Sequence, residues 1–319
     1  MLGKLKGKNL LYLLLAVNIL LLGVNSFLFL TPNNSGTENA NAQYPYLSKR
    51  IFNENQNDIL INFTPLRQAM RDYVSKQNGN LGIYFEYLPS GTSVGVNDQL
   101  EVKIASLVKI PVIMAAYKAA EDGKLDLNKT MTIDQNDLDK SFGDLWKRGA
   151  GAQITVNETI DLMLTKSDNT ATRVLTDELP EFAINNVFDS LDLPIEREEG
   201  FAVISPKSYT SILRSLYLSS YVQREHSNSI LDTLTKTDFT DKLPAGVPSE
   251  LPVAHKIGVY DQDSQHPVYS DCGIVYLPNR PYALCVMTKD LDENASRKHT
   301  QLLSKMVYGY VAQVKWSSL

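Results

Sequence analysis

Cysteine, histidine and clustered positive charge are scarce in this 319-residue chain. Its two cysteines and four histidines lack the close Cys/His spacing of a metal site, so no metal ion or other cofactor is expected. The net charge is −5, and no dense Lys/Arg block follows the first few residues. These absences argue against a nucleic-acid partner and leave the composition of an ordinary globular protein.

One long apolar run is present, over residues 10–30, and it has the length of a helix that crosses a bilayer. Three lysines precede it among the first eight residues, which places the rest of the chain outside the membrane. A cleaved signal peptide is the alternative, but the candidate cleavage site at residues 40–42 lies far from the end of the run. We therefore expect residues 1–30 to anchor the protein at the extracytoplasmic face, or the protein to be secreted if they are removed.

Residues 31–50 are rich in Asn, Ser, Gly and Thr and predict a flexible tether, followed by a folded domain over 51–319. Hydrophobic spacing and capping residues predict helices over 63–76, 106–121, 155–165, 170–178, 181–191, 205–218, 223–236 and 295–315. Strands are predicted over 81–88, 92–96, 253–260, 271–277 and 282–288. This order predicts an α+β fold: a five-stranded antiparallel sheet flanked by terminal helices, with a central all-helical subdomain over about 124–250.

The two cysteines, Cys272 and Cys285, flank a predicted turn at residues 278–281. They could face each other across a hairpin and form a disulfide in an oxidising compartment. A pair of buried thiols in a sheet is the other interpretation.

Three short motifs occur in one order along the chain: Ser106-Leu107-Val108-Lys109, Ser167-Asp168-Asn169 and Lys256-Ile257-Gly258. A Ser-x-x-Lys string occurs about once by chance in a chain of this length, so no motif is persuasive alone. Together they supply a nucleophile, a base, a proton relay and a substrate clamp.

The first motif suits nucleophilic catalysis. Ser106 and Lys109 lie three residues apart at a predicted helix start, so their side chains share one face. A lysine amine that burial and nearby positive charge keep neutral can accept the proton of a serine hydroxyl. The simpler alternative is a helix-capping serine beside a solvated lysine.

The other two motifs suit substrate binding and proton transfer. Ser167 would carry a proton to the leaving nitrogen, Asn169 would bind the substrate's amide, and Asp168 would fix the loop. Ordinary capping residues in a helix connection are the alternative. Lys256 would attract a substrate carboxylate and assist the proton path of Ser167.

A bare Gly258 would let a ligand lie along the strand that carries Lys256. The N–H of Val259 could then join that of Ser106 in an oxyanion hole. A lysine on an edge strand is the alternative interpretation of this third motif.

The ordered set resembles the class A serine β-lactamases and their relatives, the penicillin-binding DD-peptidases, over residues 51 to the C-terminus. The resemblance implies that Ser106 is the acylated nucleophile, Lys109 its base and Ser167 the proton relay. It implies that Asn169 contacts the substrate and that Lys256 with Gly258 forms the strand clamp. The substrate would be a β-lactam or a peptidoglycan stem peptide.

Two departures from the family pattern modify this expectation. Ile257 stands where the family usually has a hydroxyl that helps to hold the β-lactam carboxylate. The interval that holds the family's Ω loop, with its water-activating Glu, is about a dozen residues short. Glu196, Glu198 and Glu199 lie in the remaining segment, where surface charge on a turn is their simpler role. We expect slow deacylation; a DD-peptidase, or an anchored binding protein with impaired catalysis, is the alternative.

Overall fold

The computed structural model describes residues 45–47, 61–198, 201–261 and 265–313. The predicted membrane segment and most of the tether lie outside these ranges. Among the described residues there is no helix with the length and apolar character needed to span a bilayer. The described residues belong to one compact unit.

The central element is a five-stranded antiparallel sheet. Its strands are β1 (Asn80–Tyr87), β2 (Thr92–Val96), β8 (Val253–Tyr260), β9 (Val268–Val275) and β10 (Tyr282–Lys289). They lie in the order β2-β1-β10-β9-β8. The two ends of the folded region therefore share one sheet, as the sequence predicts. This confirms the α+β fold class.

Within the described ranges, helices cover both faces of the sheet. They are α1 (Thr64–Val74), α2 (Lys109–Glu121), α3 (Val156–Thr165), α4 (Asn169–Asp177), α5 (Ala183–Ser190), α6 (Pro206–Leu218), α7 (Arg224–Leu234) and α8 (Glu293–Gln313). Residues of α1 and α8, such as Leu66 and Leu303, share one core with Phe85 and Leu284 of the sheet. The opposite sheet face, including Ile274, packs into a larger core with the central helices. Because both faces are covered, β9 and β10 are buried along almost their whole length.

Local capping signals determine several helix ends. Ser205 accepts a hydrogen bond from the N–H of Ser208, and α6 begins at Pro206, as predicted. Thr155 caps α3 by accepting from the N–H of Glu158. The Glu158 carboxylate pairs with Arg148 at 2.5 Å and does not complete a reciprocal capping box with Thr155.

Two small sheets were not expected from the sequence. One contains β3 (Val102–Lys103), β6 (Glu196–Glu198) and β7 (Phe201–Ile204), and the other pairs β4 (Thr130–Thr132) with β5 (Gln153–Thr155). Strands this short carry too few residues to show a two-residue hydrophobic period. β9 also begins at Val268, three residues earlier than predicted, because its first residues pair with the end of β8 and the end of β10.

Cys272 and Cys285 are register partners on β9 and β10 and form a disulfide. Both residues are fully buried. The structure thus decides between the two interpretations of the cysteine pair in favour of the bonded one.

Candidate active site

The first motif lies where a short 3-10 turn, Ala105–Val108, leads into α2. Pro111 falls in the first turn of α2, where N–H groups have no partner within the helix, so its missing N–H costs little. Ala105, directly before the nucleophile candidate, has a φ of +47°. This left-handed backbone is unfavourable for a residue with a Cβ and is typical of functional turns.

Lys109 is buried and connects the first motif to the second by hydrogen bonds. Its Nζ donates to Ser106 Oγ at 2.8 Å and to Asn169 Oδ1 at 2.7 Å. Burial lowers the pKa of the Lys109 ammonium to about 8, although the charges of Asp168 and Asp139 oppose the change. The predicted proximity of serine and lysine is present, with an amine that is partly neutral near physiological pH.

A hydrogen-bond chain continues from Asn169 to the surface. Its Nδ2 donates to Ser141 Oγ at 2.8 Å, and the Ser141 N–H and hydroxyl both donate to Asp139. Arg173 in turn pairs with Asp139 at 2.6 Å. This chain fixes the Asn169 amide with its oxygen towards Lys109. Ser141 and Asp139 were not predicted as site residues, because they lie in a loop with no periodic signal.

The second motif connects α3 to α4 through strained backbone. Ser167 is fully buried and has a φ of +55°. The Asp168 carboxylate accepts from the N–H of Ala171 and from the N–H of Leu145, both at 2.8 Å. A Cβ at Gly143, whose φ is +82°, would lie 2.1 Å from Asp168 Oδ2, so only glycine fits there. Asp168 holds the loop, as its sequence position suggested.

The third motif meets the second one in the protein interior. Lys256 on β8 is 1 % exposed, and its Nζ donates to Ser167 Oγ at 2.7 Å. Burial, together with the charges of Lys109 and Lys242, holds the pKa of Lys256 well below its ordinary value. The structure thus brings together the side chains of Ser106, Lys109 and Asn169 in one hydrogen-bonded group, and those of Ser167 and Lys256 in another.

Gly258 is needed for packing. A Cβ there would lie 3.0 Å from Leu107 Cγ and 3.3 Å from the Ile104 carbonyl oxygen. The turn that carries Ser106 fills the space into which that Cβ would project, so glycine lets β8 approach this turn closely. That a ligand lies along β8 stays a prediction. The close approach brings β8, with Val259, directly against the turn that carries Ser106.

The acidic residues of the shortened segment point elsewhere. Glu196 and Glu198 lie exposed on β6. Glu198 pairs with Lys289 at 3.3 Å. Glu196 hydrogen-bonds to Glu101, and burial together with this neighbouring carboxylate raises the pKa of Glu101. Neither forms a hydrogen bond to Ser106 or Lys109 within the described part of the chain. Glu199 lies outside the described residues.

A cleft of about 540 Å³ adjoins the second motif. Phe142 and Phe239 line it, with ring centroids 5.7 Å apart. Lys256 Nζ lies 5.8 Å from the Phe239 ring, and the Phe142 carbonyl accepts from the Asn169 N–H. Lys166, which directly precedes the second motif, lines the cleft, but none of its lining residues belongs to the three motifs.

Comparison with known families identifies the class of protein that this fold and site define. The profile of the β-lactamase enzyme family matches residues 65–311. The chain belongs to that family and has its serine hydrolase fold. A β-lactamase of Phocaeicola vulgatus is 22 % identical over 279 residues, which cover 79 % of this chain and 87 % of the relative.

Among solved structures, PBP-A is similar to this chain, with a TM-score of 0.71 and 27 % identity. The match covers 79 % of this chain and 97 % of PBP-A. A single-residue variant of PBP-A, solved as an acyl-enzyme complex with penicillin G, is 28 % identical with the same TM-score and coverage. The TLA-1 extended-spectrum β-lactamase, at 17 % identity and a TM-score of 0.71, shares the fold.

Proposed function

We propose that this protein is a serine acylase that opens β-lactam rings through a covalent Ser106 acyl-enzyme and releases the product slowly. The observation that carries this proposal is the 2.8 Å contact between Lys109 Nζ and Ser106 Oγ, made by a buried amine whose pKa is about 8. An amine of this kind is a competent base at neutral pH, whereas an ordinary surface lysine is not.

In the acylation step, neutral Lys109 takes the proton of Ser106 as Oγ attacks the carbonyl carbon. The N–H groups of Ser106 and Val259 would stabilise the oxyanion, since β8 packs against the nucleophile turn. The C–N bond then breaks, and the leaving nitrogen takes the hydroxyl proton of Ser167. Lys256, 2.7 Å from Ser167 Oγ, replaces that proton.

We expect slow release of the acyl group because the described carboxylates near the site are engaged with other partners. Deacylation needs a base that activates a water molecule at the acyl carbon. Glu196 and Glu198 are engaged with Glu101 and Lys289, away from the nucleophile. Asp168 and Asp139 are committed to holding backbone and loop. With no described carboxylate available beside Ser106, the acyl-enzyme is expected to persist.

A peptidoglycan DD-peptidase is the second candidate function. It is favoured by the similarity to PBP-A, of which one variant holds penicillin G as an acyl-enzyme. A stem peptide and a β-lactam would use the same Ser106 and Lys109. An anchored binding protein with impaired catalysis is less favoured, because binding alone does not require a buried amine beside a serine.

Intact mass after incubation with benzylpenicillin tests the proposal. We expect the added mass of one intact penicillin on the wild type, none on Ser106→Ala, and a slow loss of the adduct after excess drug is removed. Unmodified wild type, or modified Ser106→Ala, would contradict the proposal. Rapid loss of the adduct with sustained turnover would indicate an efficient β-lactamase, and turnover of a D-Ala-D-Ala peptide would favour the peptidase.

We also propose that the enzyme works outside the cytoplasmic membrane. The Cys272–Cys285 disulfide supports this location, because such bonds persist in oxidising compartments. Membrane attachment through residues 10–30 remains a prediction from the sequence. Fractionation of cells that produce the full chain, combined with N-terminal mass analysis, would show where the protein is and whether those residues are retained.

A further inference from the structure

The Cys272–Cys285 disulfide lies in the same row of the sheet as the lysine of the third motif. Cys285 on β10 is the register partner of Cys272 on β9, and Cys272 is the register partner of Lys256 on β8. Side chains directly opposite each other on neighbouring strands share one face, with Cβ atoms about 5 Å apart. The disulfide and Lys256 therefore project side by side from one face of the sheet.

The packing of neighbouring residues identifies this face. Both cysteines belong to the larger core, together with Ala254, which lies two residues before Lys256 on β8. Leu284, next to Cys285 on β10, belongs to the other core, on the opposite face. The disulfide is thus on the face from which Lys256 Nζ donates to Ser167 Oγ at 2.7 Å.

The side chains of this row are enclosed. Cys272 and Cys285 are fully buried, and so is Lys256. Two separate thiols need more room than two bonded sulfurs, and a close-packed interior has to shift to accommodate them. Because β8 lies at the edge of the described sheet, next to β9, it can shift more readily than an inner strand, and Lys256 would move with it.

We propose that the Cys272–Cys285 disulfide positions Lys256 for proton transfer to Ser167, so that the protein acylates at its full rate only when this pair is oxidised. The inference rests on the proposed function and adds a positioning element and a redox requirement to it. In forming the bond, the two thiols pass two protons and two electrons to an exchange partner that carries a disulfide, which becomes two thiols. A reduced chain would be a slow acylase until that exchange occurs.

A purely structural disulfide makes a different prediction. Loss of stability alone would slow acylation by every substrate to the same extent. The path from Lys256 through Ser167 matters only where the leaving group needs a proton. The nitrogen of an opening β-lactam needs one, whereas a thiolate leaves without it. The ratio of the β-lactam rate to a thioester rate therefore separates the two roles.

The experiment follows intact mass over time with benzylpenicillin and with phenylacetylglycyl thioglycolate, a thioester that has the same acyl side chain. In the full chain, Cys272→Ala combined with Cys285→Ala should slow the β-lactam about tenfold and the thioester less than about twofold, because the proton path is misplaced. Adding this pair to Lys256→Met should not lower the ratio below that of Lys256→Met alone. Leu284→Val, in the opposite core, is the matched control and should leave the ratio unchanged.

The wild type gives a second measurement that does not require the variant to fold. It is partly reduced with dithiothreitol, freed of the reductant without air and then mixed with each substrate. Quenching with iodoacetamide under denaturing conditions adds two alkyl groups to each reduced molecule and none to an oxidised one. In one sample, the reduced molecules should carry less penicillin adduct than the oxidised ones, but the same amount of thioester adduct.

An unchanged or raised ratio in the alanine pair, or equal penicillin adduct on reduced and oxidised wild type, would overturn the positioning role. Equal slowing of both substrates would assign the disulfide to stability alone and would overturn it as well. Failure of the wild type to react with benzylpenicillin in either redox state would instead contradict the proposed function.

Discussion

Lys109 and Lys256 are both buried lysines that donate to a serine hydroxyl, but their surroundings differ. Lys109 also donates to Asn169, and a chain through Ser141 and Asp139 reaches the surface. Lys256 donates to Ser167 and lies 3.4 Å from its own neighbour's carbonyl, with two further cations close by. The charges that act on Lys109 are those of two carboxylates, whereas those that act on Lys256 are two lysines and the carboxylate of Asp271.

The different surroundings suit the two lysines to different roles in proton transfer. The charges of Asp168 and Asp139 limit the pKa change of Lys109, which leaves the amine able to gain and lose a proton near neutral pH. Burial and the charges of Lys109 and Lys242 lower the pKa of Lys256, and the charge of Asp271 opposes them. The first lysine suits a base, and the second is placed to exchange a proton with Ser167.

Loss of the first amine should have the largest effect. Lys109→Met should slow acylation by benzylpenicillin about 10²–10⁴-fold, because the proton acceptor of Ser106 is removed. Intact mass over time measures the rate, and Lys118→Met, on an exposed part of the same helix, is the control. A variant that still acylates within a few-fold of the wild type would show that Lys109 is not the base.

Loss of the second amine should be less severe. Lys256→Met leaves Ser106 and its base intact but breaks the proton path through Ser167, so we expect acylation to fall about 10²-fold. The same mass assay measures it, with Lys236→Met as control. If Lys256→Met were more damaging than Lys109→Met, the roles of the two lysines would have to be exchanged.

The pH dependence of acylation tests the state of Lys109 without a substitution. With a pKa of about 8, roughly one-tenth of the amine is neutral at pH 7 and about nine-tenths at pH 9. The rate should therefore rise about tenfold between these values, since only the neutral amine accepts a proton. A flat profile, or one that falls with increasing pH, would contradict this assignment.

The hydrogen-bond chain should contribute least. Ser141→Ala removes the acceptor of Asn169 Nδ2, and the loss of one such bond should slow acylation about threefold to tenfold. Ser141→Thr keeps a hydroxyl and should retain most of the rate. Equal rates in the alanine and threonine variants would show that the chain does not position Asn169.

Much of the fold could be predicted because its signals are local. The cap at Ser205 with Pro206, the alternation in β2 and the apolar runs of β8 and β10 all depend on neighbouring residues. The small sheets were missed because their strands owe their existence to distant partners, as in the pairing of Lys103 with Val203.

Some residues of the site could likewise be predicted from local sequence, and others could not. Ser106 and Lys109 could be paired from the sequence, since helical spacing places them on one face. Ser141 could not be found, because it acts through Asn169, 28 positions away, and belongs to no repeating pattern.

The sequence by itself determined the residue types and order of the reactive groups, because a serine three residues before a lysine is a local arrangement. The tertiary structure decided their chemistry. Burial of Lys109 and Lys256 depends on elements from distant parts of the chain, and the cost of placing charge away from water sets which amine can act as a base. That cost is a property of the packed interior, so it cannot be read from any one segment.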